Sequence, residues 1–200
     1  MMSQIQVAKK NYSLWDLNML YHQFKLNKME EEVIIPEQTV MQPNEEIRDK
    51  ILQFEKSIRE IDSKKYEVYT DRDSERACPL THSFSSGIYV REIFIPAGMF
   101  VVGKIHKHDH PNFLLKGDVV VVTEDGVEEL SAPMSMISKA GTKRALYAKT
   151  DLVWTTIHLN PTDTQNIEEL EEDIIAPSYE EYEAFKKLED KNTNTLKLKI

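Results

Sequence analysis

Residues 98–117 read GMFVVGKIHKHDHPNFLLKG, and three of the chain's six histidines, His106, His108 and His110, fall within five positions of it. Apolar and β-branched residues flank that polar centre. Successive side chains of a strand point to opposite faces, so the spacing predicts one strand on which Phe100, Val102, Lys104, His106, His108 and His110 share a side. Pro111, directly after His110, is a place for such a strand to bend. Neutral imidazole is the commonest protein ligand for zinc, iron, copper and nickel, which marks that side as a metal site.

On either side of this stretch the pattern repeats: GIYVREIFIP, NFLLKGDVVVVTEDG, APMSMISKAG and DLVWTTIHLN are short β-rich runs separated by turn residues. Strands at intervals of about 10 to 12 residues predict an antiparallel sandwich or barrel. Glu124, Asp125 and Gly126 form a hairpin signal. All six glycines lie between Gly87 and Gly141, where tight turns concentrate. The reading is a mainly β domain over residues 80–162.

Before it, residues 1–79 read as a helical extension. Ser13 caps an amphipathic helix to about Glu32 with Leu14, Leu17, Leu20, Tyr21 and Phe24 on one face. After a connection marked by Pro36 and Pro43, Asn44 is placed to cap a second helix carrying Ile47, Ile51, Phe54, Ile58 and Ile61. Its stripe packs on the β domain or on a subunit partner. Residues 163–200 form an acidic helical segment: Glu168, Glu169, Glu171, Glu172 and Asp173 read as a solvated helix face, and a short helix follows Pro177 to about Leu188. Residues 191–200 fray or add a strand.

A net charge of −9 opposes a sequence-independent grip on nucleic acid, which needs Lys and Arg to neutralise phosphates. The single Cys78 makes no internal disulfide, and no leader pattern or apolar run of ~20 residues calls for secretion or a membrane. The expectation is a soluble cytoplasmic protein. Cys78 precedes Pro79, Ser135 and Ser138 lack a glycine elbow, and no Walker or dinucleotide fingerprint is present, so nucleophilic and nucleotide-loop chemistry have little support.

The spacing of Gly98, Lys104, His106, His110 and Gly117 resembles the first motif of the cupins, small jelly-roll barrels: Gly, five residues, His, one residue, His, three or four residues, Glu, six residues, Gly. Both glycines and the second histidine are in place, while Lys104 stands at the first histidine position and His110 at the glutamate. The second motif, Pro-x-Gly-x-x-His, is similar to Lys139-Ala140-Gly141-Thr142-Lys143-Arg144, with Arg144 at the ligand histidine. The string APMSMISKAGTKRALYAKTDLVWTTIH also resembles small single-domain cupins of tailed bacteriophages and prophages. The resemblance spans about residues 87–160 and implies a cupin-type antiparallel β-barrel with N-terminal helices and a helical C-terminus. For a phage protein, the compartment is the host cytoplasm.

Together these give a divalent ion (Fe, Zn, Mn or Ni) on His106 and His110, completed by His108 or by His158 from a neighbouring strand. The opposing reading is a surface strand whose histidines face water. Lys104 and Arg144 put fixed positive charge where cupins place ligands. Either Arg144 grips a small anionic molecule bidentately, or it sits in a structural ion pair with Asp118, Glu124 or another acid. Trp154 shares a strand face with Thr156 and His158, and reads as core or as a stacking surface for the ligand. The functions in play are a metal-dependent oxygenase or Lewis-acid enzyme, a phage protein that binds or sequesters a metabolite or nucleotide, and an assembly scaffold. Sheet edges predict a homodimer or higher homo-oligomer.

Overall fold

The computed structural model describes residues 5–9, 43–59, 66–70 and 74–197, with side chains described for 47–56, 69 and 75–191. In chain order the elements are β1 (Ile5–Lys9), α1 (Pro43–Arg59), β2 (Tyr66–Thr70), α2 (Ser74–Ala77), β3 (Leu80–Ser85), β4 (Gly87–Ile95), β5 (Phe100–Val102), β6 (Ile105–His106) and β7 (His110–Lys116). There follow β8 (Asp118–Thr123), β9 (Gly126–Ser131), β10 (Met134–Ser138), β11 (Ala145–Ala148), β12 (Leu152–Asn160), α3 (Ile167–Ile174), β13 (Ile175–Ala176) and α4 (Tyr179–Lys197).

Two antiparallel sheets carry the fold, in the orders β2-β1-β5-β11-β8-β9 and β10-β7-β12-β4-β3. Setting aside the short β6, the eight strands from β4 to β12 nest so that the first pairs with the last and the second with the seventh. That order is a jelly roll. The two sheets remain separate, so the domain is a jelly-roll sandwich without a continuous ring of hydrogen bonds. The N-terminal region, read from sequence as helical, also lends β1 and β2 to the first sheet.

Register arranges the inner face of the second sheet in rows. One aligns Met134, Leu114, Trp154 and Ile93; the next Met136, Asn112, Thr156, Arg91 and His82. In the third, Ser138 stands across from His110 and His158 across from Tyr89. The apolar row joins Ile95, Met99, Val101, Val119, Val121 and Leu152 in the main core between the sheets.

Strand β8 is buried on both faces. Val119 and Val121 enter the main core, whereas Val122 packs with Val102, Ala145 and Ile51 under α1. The stripe of Ile47, Ile51 and Phe54 therefore covers the first sheet, and a buried ion pair from Lys143 Nζ to Glu55 Oε2 at 2.9 Å and the pair Arg48–Glu124 fix the helix there. Pro43 opens the helix, where its missing N–H is not needed, so Asn44 lies inside the first turn rather than capping it. The expected helix from Ser13 to Glu32, Ile61 and the side chain of Ile58 lie outside the described residues.

Two further expectations change. The single strand from Phe100 to His110 is broken into β5, β6 and the start of β7, so Phe100 and Val102 pack under α1 and do not share a side with His110. The breaks fall at residues 103–104 and 107–109, both ahead of Pro111; at the second, Asp109 is pinned, its carboxylate accepting from Ala140 N at 2.8 Å and from Lys139 Nζ at 2.8 Å. At the C-terminus, α4 runs past Leu188 to Lys197 without Gly or Pro to stop it, replacing the expected fraying or strand over residues 191–197. No helix among the described residues is long and apolar enough to cross a membrane.

Candidate metal centre

Three imidazoles meet at one end of the sandwich. His106 comes from β6, His110 from the first position of β7 and His158 from β12; their ring centroids are 4.2 Å (106–110), 4.6 Å (110–158) and 5.0 Å (106–158) apart. One nitrogen from each lies within 4.8 Å of the other two. Nitrogens bound at about 2.0–2.1 Å to a tetrahedral ion are roughly 3.4 Å apart, which small ring rotations supply.

Hydrogen bonding sets which nitrogens face the centre. His110 Nδ1 lies 3.1 Å from the His108 carbonyl, which can only accept, so Nδ1 carries the proton and Nε2 keeps its lone pair. That Nε2 is buried with no hydrogen-bond partner. The Thr156 hydroxyl donates to the Arg91 carbonyl at 3.4 Å, so its oxygen accepts Nε2–H of His158 at 3.1 Å, and His158 presents Nδ1. His106 Nδ1 is likewise buried and unpartnered. Buried nitrogens left without partners are costly unless something binds them, and a divalent ion is the partner their chemistry fits.

The electrostatics keep all three rings neutral, as metal ligation requires. Loss of solvent is the main cause throughout: it lowers His106 well below the ordinary histidine value, lowers His110, and takes His158 down to about 3. Mutual repulsion adds to this, as do Arg91 beside His106 and His158, and Arg144 beside His106 and His110.

Of the other residues singled out in the sequence, Arg144 stays with this group. Its guanidinium has no hydrogen bond or ion pair among the described residues, and burial lowers its pKa against a weak opposing pull from Glu128. The acids that offered it a structural pair are engaged elsewhere: Asp118 accepts from Ser131 and Glu124 from Arg48. His108 does not join the cluster; it is exposed, with its ring edge-on to Phe185 at 5.3 Å. Lys104 turns to Glu171 of α3, Nζ to Oε1 at 2.5 Å. Trp154 donates Nε1–H to Asn112 Oδ1 at 2.8 Å and sits in the apolar core, not against the histidines. Cys78 is buried and its thiol is pushed up to about 12 by loss of solvent, which leaves it unreactive.

Sequence reading missed Arg91, Tyr89 and Glu171. Alternation in GIYVREIFIP puts Arg91 in the same register as Tyr89 and Ile93, and a charge on the inward side of an apolar strand was the available signal. Tyr89 packs with Leu170, Ile174 and Ile175, so the apolar side of the acidic segment roofs the histidine end, while Glu168, Glu169, Glu172 and Asp173 are exposed as expected and Glu171 is half-buried.

No protein-family model matches this chain, and no curated protein matches it. Solved structures similar to it include cupins. A cupin superfamily protein from Desulfitobacterium hafniense DCB-2 is 17% identical with a TM-score of 0.36, over 41% of this chain and 76% of that one. Ectoine synthase from P. lautus is 15% identical with a TM-score of 0.40, over 51% and 76%. An acetylacetone dioxygenase from Acinetobacter johnsonii is 18% identical with a TM-score of 0.35, over 44% and 66%.

Proposed function

We propose that the protein binds a divalent metal ion through His106, His110 and His158, and a small anion beside it through Arg144. The observation that supports this most is the convergence of three neutral imidazoles, two buried and one half-buried, two of them with an unpartnered buried nitrogen, beside a guanidinium that makes no hydrogen bond or ion pair among the described residues. Three protein ligands leave positions on the ion open. Such an ion supplies Lewis-acid polarisation of a bound oxygen or, as iron, dioxygen chemistry.

The chain's own residues do the rest. Thr156 and the His108 carbonyl fix two ring tautomers, Arg144 and Arg91 supply positive charge that an anionic ligand offsets, and the roof of α3 and β13 excludes water. A ligand held by metal and guanidinium together is oriented at two points, as a carboxylate or phosphate is.

A second reading, a protein that sequesters its ligand without changing it, draws on that roof. In either case the resemblance to phage and prophage cupins suggests action in a host cytoplasm, as a homo-oligomer paired through sheet edges.

Elemental analysis of protein purified without a histidine tag tests the site. About one metal ion per chain, lost in His106→Ala, His110→Ala and His158→Ala but kept in His108→Ala, is expected. Full metal content in the His158→Ala variant would overturn the ligand set.

A further inference from the structure

Strand β6 is two residues long, and among the described residues it pairs with β13 alone: Ile175 stands across from His106 and Ala176 from Ile105. A metal ligand therefore sits on a strand whose ladder is completed by the C-terminal region. The same contact is reinforced from both sides. Lys107 N donates to the Ile174 carbonyl at 2.7 Å, and Gly141 N donates to the His106 carbonyl at 2.8 Å. Ile105 is buried with Ala176 and Tyr182.

Tyr182 also fixes the second clamp. A Cβ at Gly141 would meet Tyr182 Cε1 at 2.5 Å, and Gly141 holds φ +83, so the ring of α4 lies directly on the backbone that grips His106. Charge ties the roof down: Lys104 Nζ meets Glu171 Oε1, and Lys107 Nζ donates to the Glu172 carbonyl at 2.5 Å. Both lysines flank His106 in sequence, and both of their partners lie on α3.

We infer that residues 167–182 are a strap that positions His106 as a ligand and governs how fast the ion enters and leaves, with Glu171 as its latch. The inference rests on the metal-binding reading above and extends it: the acidic segment belongs to the site, and Glu171 is a positioning residue that touches neither ion nor ligand. Exchange of the ion requires β13 to leave β6, which frees His106 while His110 and His158, on long paired strands, stay in place.

The test loads the full chain with Zn²⁺ and follows its release to an excess of chromogenic chelator by stopped flow. The comparison is wild type with Glu171→Gln, Glu171→Asp and, as a control on the same helix, Glu168→Gln. Glu171→Gln is expected to release the ion roughly fivefold faster, the size of effect one partly exposed ion pair supports. Glu171→Asp recovers part of the slow rate and Glu168→Gln keeps the wild-type rate. High salt speeds wild type toward the Glu171→Gln rate by screening the latch.

Hydrogen exchange over residues 103–108 in the metal-free proteins separates the two readings. Faster exchange there in Glu171→Gln, with ion release unchanged, would overturn the strap's hold on the ligand and leave the metal centre standing. Wild-type protein that takes up no Zn²⁺, while its 103–108 segment still loses protection in Glu171→Gln, would overturn the metal reading itself and the inference with it.

Discussion

The two ends of the sandwich interior are built from the same strands and obey different rules. Toward one end, β4, β7 and β12 contribute Ile95, Leu114, Leu152 and Trp154 to a dry core. Two to four residues further along the same inward registers lie Asn112, His110 and His158, which are buried yet polar, and Arg91, which is half-buried. Burial stabilises the first end by removing apolar surface from water, and at the second it costs stability by desolvating polar atoms such as His110 Nε2 and His106 Nδ1. The apolar end holds the fold, and on the proposed reading the histidine end is left for an ion to complete.

That difference can be broken most strongly in the core. Leu114→Ala removes a fully buried side chain and should lower unfolding free energy by about 2–5 kcal/mol, measured by urea denaturation of metal-free protein, while the folded fraction still binds metal. His110→Ala, on the same strand, should change metal-free stability by less than about 1 kcal/mol and abolish metal retention. Equal stability losses would erase the distinction between the ends.

Acid acts on the histidine end through its neutral imidazoles. His158 is held at about 3 when folded and takes the ordinary value near 6.5 when unfolded, so the unfolded chain binds the extra proton between those values. Stability is therefore complete above pH 6.5 and falls as pH drops toward 3. At pH 5 the loss from His158 is about 2 kcal/mol at ~1.4 kcal/mol per pH unit. Urea midpoints of chelator-treated protein at pH 7.5 and pH 5 measure it, and His158→Ala should reduce the dependence by that amount, leaving the share that His106 and His110 contribute in the same direction.

Gly141→Ala should cost about 1–3 kcal/mol through its positive φ and the Tyr182 contact, and weaken metal binding by loosening the hold on His106. Thermal unfolding and competition with a chelator read the two effects. A smaller change is expected from Arg144→Met: removing the repulsion should tighten binding of the ion alone by about tenfold, while any stabilisation by added carboxylates or phosphate is lost. Titration of metal-free protein with and without such anions checks both.

Much of the sandwich was legible because β-period runs and turn glycines are local signals: the five β-rich runs all became strands, and the Glu124–Asp125 hairpin closes with Thr123 paired to Gly126. Less legible was where a strand breaks. Residues 100–110 alternate well enough for one strand, but Asp109 captures Ala140 and Lys139 from a loop thirty residues away, a contact that periodicity does not encode. Choosing His158 rather than His108 to complete the group with His106 and His110 required the tertiary fold, and the engagement of Lys104 by Glu171 required the chain to fold back over its own mouth. The acidic helix face is solvated, as its composition reads, except at Glu171, which only the tertiary fold places beside Lys104.

Anomalous diffraction at the absorption edge of the bound metal, from crystals of the loaded protein, tests the three-histidine centre most directly. One peak at about 2.0–2.1 Å from a nitrogen each of His106, His110 and His158, with His108 turned away against Phe185, is the expected result. A peak held by His108, or a loaded protein with no ion at the histidine end, would contradict it.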